Sequence, residues 1–190
     1  HTVPQIRPRF LMKADEDQRK KSQEYIASLP GKIAEAVRLA EADLQSAHVA
    51  VAKGKEDSVS FNRRYFLRDG SVMTNPFKGE DEKLNQILRP AGPIDPGVGV
   101  ILFTAETGEP LAVLINFALH LDTMGGDAPS ADFPFMIDQT LRAAEGPQVL
   151  PIFASGTSGN INHYDLTDPI RFHRVKGPQE SSRIGAILAA

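Results

Sequence analysis

Near the middle of the chain a nine-residue run reads Leu111-Ala112-Val113-Leu114-Ile115-Asn116-Phe117-Ala118-Leu119. Because Asn116 is its one polar residue, the run predicts a β-strand buried on both faces. A helical pattern follows, with Ser130 or Asp132 as its cap, Gly146-Pro147 as its end, and apolar positions at Phe133, Met136, Ile137, Leu141 and Ala144. A second apolar run, Val149–Phe153, predicts another buried strand. Crossovers of this kind join parallel strands and are right-handed in about 98% of cases.

The carboxyl ends of two parallel strands lie at the same edge of a sheet, where sites of open α/β sheets are built. His120 directly follows the first predicted strand, and the polar loop 155–165 follows the second. We therefore expect His120 and this loop to lie close together.

Outside this unit the pattern predicts antiparallel pairing. Gly97–Leu102 should form a hairpin with Leu111–Leu119 across Glu106-Thr107-Gly108-Glu109, and Asp69-Gly70 is a turn signal. The remaining β-like segments are His48–Ala52, Ser58–Leu67 and Ser71–Thr74, whereas Pro76–Pro96 is rich in proline and charge and predicts a long surface loop. The expected class is α/β, with a mixed sheet that combines the parallel unit with antiparallel hairpins, and with helices packed on the sheet.

A long helix is predicted from Asp15 to about Leu44, since apolar residues step by three and four along one face. Pro30-Gly31 interrupts this pattern without changing its phase. A proline in a helix interior removes a hydrogen bond, so either a kinked helix or two helices laid end to end would fit.

The composition describes an ordinary globular protein of 190 residues, with 41% hydrophobic and 24% charged residues. A net charge of −3 gives no reason to expect a nucleic-acid partner, and no apolar run approaches the roughly 20 residues of a membrane span. The absence of cysteine excludes disulfides and thiolate chemistry. Because the chain starts at His1 and stops inside a helical pattern, we expect residues 1–190 to be a single α/β domain that is an internal piece of a longer catalytic domain.

Two interpretations fit His120. A neutral imidazole at a strand end, beside Asp122 and a Gly125-Gly126 turn, could bind zinc. The alternative is a histidine that hydrogen-bonds to a loop. His48, in an apolar context, is expected to be structural, and His173 to be a solvated loop residue.

The loop Ser155–Asp165 concentrates glycines, hydroxyls and amides, which could direct backbone N–H groups towards an oxyanion or a phosphate. A turn-rich structural loop explains the same composition. Asn62-Arg63-Arg64-Tyr65 could hold a polar or anionic substrate group, or could be an exposed strand with surface arginines.

Several motifs, taken in order, resemble the N-terminal domain of the neutral/alkaline, non-lysosomal ceramidases and their uncharacterised bacterial relatives. The matching segments are His1-Thr2-Val3-Pro4, Phe61–Tyr65 with Asp69-Gly70, Thr74-Asn75-Pro76, Gly92–Pro96, Asn116–His120, Ser130–Pro134 and Gly159–His163. They extend over nearly the whole chain.

The resemblance implies a zinc amidase that cleaves an N-acyl bond, as ceramidases do in sphingolipid metabolism, and a secreted or periplasmic protein. It implies that His120 is a ligand of Zn²⁺ and that His1 lies near the metal and assists catalysis. His1 and His120 should therefore approach each other in space. The remaining ligands are expected outside residues 1–190. The expected partner is a small-molecule or lipid-like substrate.

One departure from the family matters for the substrate. Ceramidases carry a Gly-Asp-x-Ser-Pro segment where this chain has Gly159-Asn160-Ile161-Asn162-His163. The resemblance thus implies catalytic roles for Asn162 and His163, which would contact the substrate or the developing oxyanion. The predicted substrate-binding residues are Asn62, Arg63, Arg64, Gly159 and Asn160.

Two other functions remain open from the sequence. The same fold could serve as a carbohydrate- or lipid-binding module that has lost catalysis. Alternatively, Ser155–Asn160 could act as an anion cradle in an enzyme that handles phosphate groups. Metal content separates the zinc hydrolase from both.

Overall fold

The structure, a computed structural model, describes residues 15–76, 84–126, 129–167 and 176–190. The chain divides into two units, one ending at Ser46 and one beginning at Ala47. The elements in chain order are α1 (Glu16–Ala42), β1 (Ala47–Lys55), β2 (Phe61–Asn62), β3 (Arg64–Leu67), β4 (Val72–Thr74), β5 (Ile87–Pro90), β6 (Gly97–Ala105), β7 (Pro110–Phe117), α2 (Phe133–Glu145), β8 (Leu150–Ser155), β9 (Ile161–Asn162) and α3 (Pro178–Ala189). That residues 1–190 are one piece of a longer catalytic domain stays a prediction.

Helix α1 makes up most of the described part of the first unit. It begins with a capping box, in which the Asp15 side chain accepts from the Gln18 backbone N–H and the Gln18 side chain accepts from that of Asp15. The helix continues through Pro30 as one element, so the end-to-end pair of helices is wrong. None of its 27 residues, all of which the structure describes, is buried.

The main sheet of the second unit has the strand order β1-β6-β7-β8. The β6–β7 pair is antiparallel, as the hairpin prediction requires, and its turn is closed by the bond from Gly108 N–H to Ala105 O. The β7–β8 pair is parallel, with Ala112 opposite Leu150 and Phe117 opposite Ser155. The mixed α/β class and the parallel strand–helix–strand unit are therefore confirmed.

One face of this sheet packs against α2, and α3 packs in turn against α2. The core is built from Val113, Ile115 and Phe117 of β7 together with Phe133, Ile137, Leu141, Ile184 and Leu188 of the two helices. Alternate residues of a strand point to opposite faces, so these odd-numbered β7 residues share the covered face. The helices hold β7 and β8 so that their carboxyl ends have a defined position.

The opposite face of the main sheet does not fit the sequence prediction. The strand β7 was predicted to be buried on both faces, but Asn116 is exposed and Leu114 is half-buried. The strand β8 was predicted as buried, but Leu150 and Ile152 are 53% and 39% exposed. These residues lie on the face away from the helices, and β8 is an edge strand, so it has a neighbour on one side. His48 lies exposed on the other edge strand, β1, and does not pack into an apolar interior.

Two smaller sheets complete the unit. In one, β3 pairs with β4 across the predicted Asp69-Gly70 turn, where Gly70 has a φ of 85°, and also with β5. In the other, β2 pairs with β9. The prediction of Pro76–Pro96 as one loop is wrong at Ile87–Pro90, because long-range pairing with β3 organises those residues as a strand. Ser58–Leu67 likewise separates into β2 and β3 in different sheets.

Within the described part of the chain, no helix is long and apolar enough to cross a membrane.

Candidate functional site

The carboxyl ends of β7 and β8 meet at one edge of the main sheet. The Gly156 N–H donates to Phe117 O at 2.8 Å, and Ser155 Oγ donates to Leu119 O at 3.0 Å. These bonds connect Phe117 and Leu119, the second of which directly precedes His120, to the start of the 155–165 loop. The predicted proximity of this loop to the His120 segment is confirmed, and the parallel crossover is its cause.

The segment that carries His120 is held at both ends. Before the histidine, the buried Ser60 Oγ donates to Ala118 O at 2.9 Å. After it, the buried Thr123 donates its N–H and its hydroxyl to the Asp132 carboxylate at 2.9 and 2.5 Å. The carbonyl of Thr123 in turn accepts from the Gly177 N–H at 2.8 Å. The backbone around His120 thus lies between two held points.

The surroundings of His120 favour a neutral imidazole. Burial lowers the pKa of His120, the Arg63 guanidinium lowers it further, and the Asp122 carboxylate opposes both. The neutral form is the one that binds metal ions or acts as a base at neutral pH.

Arg63 joins the β2–β3 segment to the loop after β8. Its Nε and Nη2 donate to Gly159 O at 3.1 and 2.6 Å, and its backbone N–H donates to Asn160 O at 2.8 Å. The guanidinium therefore orients this loop and places a positive charge near His120. Arg64 has a different role, because its side chain is exposed while its N–H donates to Asn62 Oδ1.

Asparagine side chains organise the junction between β2 and β9. Asn162 is 7% exposed, donates from Nδ2 to Asn75 Oδ1 at 3.1 Å, and accepts from the Tyr164 N–H at 2.9 Å. Asn75 has a φ of 50°, in the left-handed region that asparagine tolerates better than most residues. Asn162 therefore contributes to the local structure through both ends of its amide.

Asn62 and Asn160 come together at Gly92. Asn62 is 4% exposed and donates from Nδ2 to Pro93 O at 3.3 Å. A Cβ at Gly92 would lie 3.3 Å from Asn62 Nδ2 and 3.9 Å from Asn160 Nδ2. Glycine at this position lets both amides approach the backbone. A pocket of about 140 Å³ opens beside them, lined by residues that include Ser60, Asn62, Tyr65, Gly92 and Asp165.

His163 is buried at 5% exposure, and its ring lies 4.0 Å from that of Tyr164. The structure thus brings the segment of His120, Arg63 and the 159–163 segment to one region, with Asn62 beside it. His1 and His173, and with them the expected approach of His1 to His120, lie outside the described residues.

Two ceramidase structures resemble this chain in fold. The neutral ceramidase from Pseudomonas aeruginosa superposes on 86% of the chain with a TM-score of 0.59 and 18% identity, and the chain spans 25% of that enzyme. A second structure, a ceramidase complexed with C2, superposes on 79% of the chain with a TM-score of 0.55 and 17% identity, and the chain spans 22% of it.

The fold is that of a ceramidase segment. No protein-family model and no curated protein matches the chain. At these identities the likeness establishes the ceramidase-like fold, and the roles of single residues rest on their chemistry.

The described residues contribute at most part of a metal site. Among residues 15–76, 84–126, 129–167 and 176–190, no group of three or more His, Cys, Asp or Glu residues could hold a metal ion. His120 could serve as one ligand, because burial lowers its pKa and so favours the neutral imidazole, and because its backbone is held on both sides. A complete zinc site would need ligands beyond these described residues.

Sequence reasoning missed the residues that hold the site in place, namely Ser60, Asn75, Thr123, Asp132 as a loop anchor, and Ser155. Ser60 and Asn75 contact partners 58 and 87 positions away, so no local pattern reveals these contacts. One signal was available for Asn75, since it precedes Pro76 in a turn and Asn is enriched where φ is positive.

Proposed function

We propose that this chain contributes to a zinc-dependent hydrolase that cleaves an N-acyl amide bond, as a ceramidase-like enzyme whose own substrate is still to be identified. The observation that carries the proposal is the segment of His120, which hydrogen bonds hold on both sides. This segment lies at the carboxyl edge of a parallel strand pair in a ceramidase-like fold. Within the proposal, His120 is a zinc ligand and His1 assists catalysis near the metal.

Zinc, when bound, would supply a nucleophile for amide hydrolysis by lowering the pKa of a water molecule to roughly 7. The residues of this chain would orient the substrate and stabilise charge. Asn162 donates one Nδ2 hydrogen to Asn75, and we assign its second Nδ2 hydrogen to the oxyanion. The polar wall of the proposed substrate site would be formed by Asn62, Asn160 and the carbonyl of Gly159. Arg63 would hold the 155–165 loop in place. Arg64 and His163 remain proposed contacts to a larger or lipid-like substrate.

The first test measures hydrolysis by the purified protein of a ceramide with a labelled acyl chain, before and after zinc is removed with a chelator and restored. His120→Ala should lower the rate by more than about 100-fold, because loss of a ligand should exceed the 10- to 100-fold typical of residues that only orient ligands. His48→Ala is the matched control. His48 pairs with Thr104, and Thr104 pairs with Pro110 at the start of β7. His48 therefore lies at the end of the sheet opposite to His120, which follows the end of β7.

Unaltered hydrolysis in His120→Ala, with zinc content unchanged, would disprove the assignment of His120. If the protein hydrolyses other N-acylated amines in a zinc-dependent way but does not cleave ceramide, the proposed amidase reaction stands and ceramide is excluded as the substrate.

A second candidate is a lipid- or carbohydrate-binding module without catalysis. One observation favours it: the side chain of Asn162 stands where ceramidases have a serine, and its amide is used to hold β9 and Asn75. If the intact protein contains no zinc and binds ceramide vesicles without cleaving the lipid, the result supports this candidate over the hydrolase. In an active protein, the double variant Asn160→Asp with Asn162→Ser tests whether this loop selects the substrate, since ceramide cleavage should then rise.

A further inference from the structure

Asp132 has an unusual backbone for its residue type. Its φ of 58° and ψ of −152° lie in a region that is essentially reserved for glycine. Strain of this kind persists where surrounding contacts hold the residue in place. Asp132 is also buried, at 6% exposure. An ordinary N-cap residue has a β-region backbone, so capping alone does not account for this conformation.

The two carboxylate oxygens of Asp132 accept different sets of hydrogen bonds. Oδ1 accepts from the Phe133 N–H at 2.8 Å, which caps helix α2, and from the Thr123 hydroxyl. Oδ2 accepts from the backbone N–H groups of Thr123 and Met124, both at 2.9 Å. Oδ1 thus caps the helix and also holds the Thr123 side chain, whereas Oδ2 binds only the backbone of the segment after β7.

The bonds to Thr123 and Met124 close the loop between β7 and α2 three residues after His120. The same Thr123 is tied by its carbonyl to Gly177, the residue that precedes α3. Asp132 therefore couples the starts of both helices to the segment that carries His120. Since Ser60 and Ser155 hold Ala118 and Leu119 from the other side, removal of the Asp132 contacts would release one end of this segment.

We infer that Asp132 is a positioning residue for His120, whose strained backbone directs one carboxylate oxygen to the Thr123–Met124 backbone so that the imidazole keeps one orientation at the sheet edge. The functional value of this positioning rests on the proposed function. The positioning itself does not, because it can be measured without a metal or a substrate.

The test uses Asp132→Asn in the full chain. Asn keeps one oxygen acceptor and tolerates a positive φ, but its amide nitrogen cannot accept the two N–H groups that Oδ2 accepts. The readout is the rate of carbethoxylation of His120 by diethyl pyrocarbonate at one fixed pH, mapped by mass spectrometry, together with hydrogen exchange at Thr123 and Met124. His48, which is exposed on β1, is the internal reference.

We expect carbethoxylation of His120 to rise several-fold in Asp132→Asn, with His48 unchanged and faster exchange at Thr123 and Met124. Ser130→Ala is the matched control, because it removes the acceptor of the Asp132 N–H and leaves the carboxylate contacts in place. It should leave the His120 rate at the wild-type value. If Asp132→Asn does not fold, Asp132→Gly carries the test, since glycine adopts a positive φ without strain and its lack of a carboxylate removes the bonds to the Thr123 and Met124 N–H groups.

An unchanged His120 rate in a folded variant that has lost the Oδ2 bonds would overturn the inference and leave Asp132 as a helix cap. An equal rise at His120 and His48 would overturn it too, because general loosening would then explain the result. Failure of the proposed function is a separate outcome, seen as unaltered hydrolysis in His120→Ala, and it leaves the carbethoxylation comparison intact.

Discussion

At the scale of single residues, the candidate site depends on how closely the ends of β7 and β8 approach. Gly156 follows β8, and a Cβ there would lie 3.2 Å from the Ala118 nitrogen and 3.3 Å from the carbonyl carbon of Phe117. Both are backbone atoms, which cannot rotate away as a side chain can. Glycine at 156 therefore permits the bond to Phe117 that brings the 155–165 loop beside the segment of His120.

Gly156→Ala should destabilise the chain by about 1–3 kcal/mol, the usual cost of forcing an extra carbon into a packed site. It should also accelerate amide exchange at residue 156. Gly159→Ala is the matched control in the same loop, because a Cβ there meets nothing within 4 Å, and its effect should stay within about 0.5 kcal/mol. For both variants, urea unfolding measures the change in stability and hydrogen exchange measures the protection of the residue 156 amide. Equal effects of the two variants would contradict the role given to Gly156.

At the scale of elements, helices α2 and α3 are in close contact at one point. A Cβ at Gly185 would clash with Met136 Cβ and lie 2.9 Å from Phe133 O. The start of α2 is thus pressed against α3 where no side chain intervenes. Asp132 caps α2 at the same end, so the helix contact and the loop anchor support each other.

Gly185→Ala should therefore destabilise the second unit by about 3 kcal/mol, at the upper end of the range for overpacking, because the helices must separate. The helical preference of alanine over glycine, about 1 kcal/mol, opposes this cost and is too small to offset it. Gly31→Ala makes the same exchange inside α1, where a Cβ meets nothing within 4 Å, and should raise helicity. Chemical denaturation measures the change in unfolding free energy of each variant, and circular dichroism measures the change in helicity. Stabilisation by both variants would show that the α2–α3 contact is looser than the structure indicates.

At the scale of the whole unit, the buried Tyr65 links stability to pH. It lies in β3, 1% exposed, and burial raises its pKa to about 12, while a backbone hydrogen bond from Leu166 opposes the rise. The folded chain therefore holds the phenolic proton more tightly than the unfolded chain, whose tyrosines have pKa values near 10. The resulting stabilisation is fully present below pH 10 and is lost as the pH rises through 12.

Between pH 10 and 12 the wild type should lose stability on the order of 2.7 kcal/mol relative to Tyr65→Phe, which has no phenol to ionise at this position. Tyr25→Phe is the control, since that ring is 48% exposed on α1 and the variant should follow the wild type. The free energy of unfolding by urea at several pH values gives the result. Parallel curves for wild type and Tyr65→Phe would show that this phenol does not contribute to alkaline unfolding.

Much of the fold followed from local pattern. The β7–α2–β8 unit, the β6–β7 hairpin and the β3–β4 turn were predicted because each depends on residues close in sequence and on a strong handedness rule. The burial of β8 was not predictable, since an apolar run has the same composition in a central strand and in an edge strand. The strand β5 was missed because its pairing with β3 joins Arg89 to Phe66 across a segment rich in charge.

The sequence by itself determined that His120 and the 155–165 loop meet, because parallel strands place their carboxyl ends at one edge. The tertiary structure alone decided how that meeting is held. The bonds from Ser60 to Ala118 and from Asn162 to Asn75 cross 58 and 87 positions, and the carboxylate of Asp132 reaches back to Thr123, nine positions before it. Periodicity reports which face a residue lies on, whereas the partner of a buried polar group depends on the packing of distant elements.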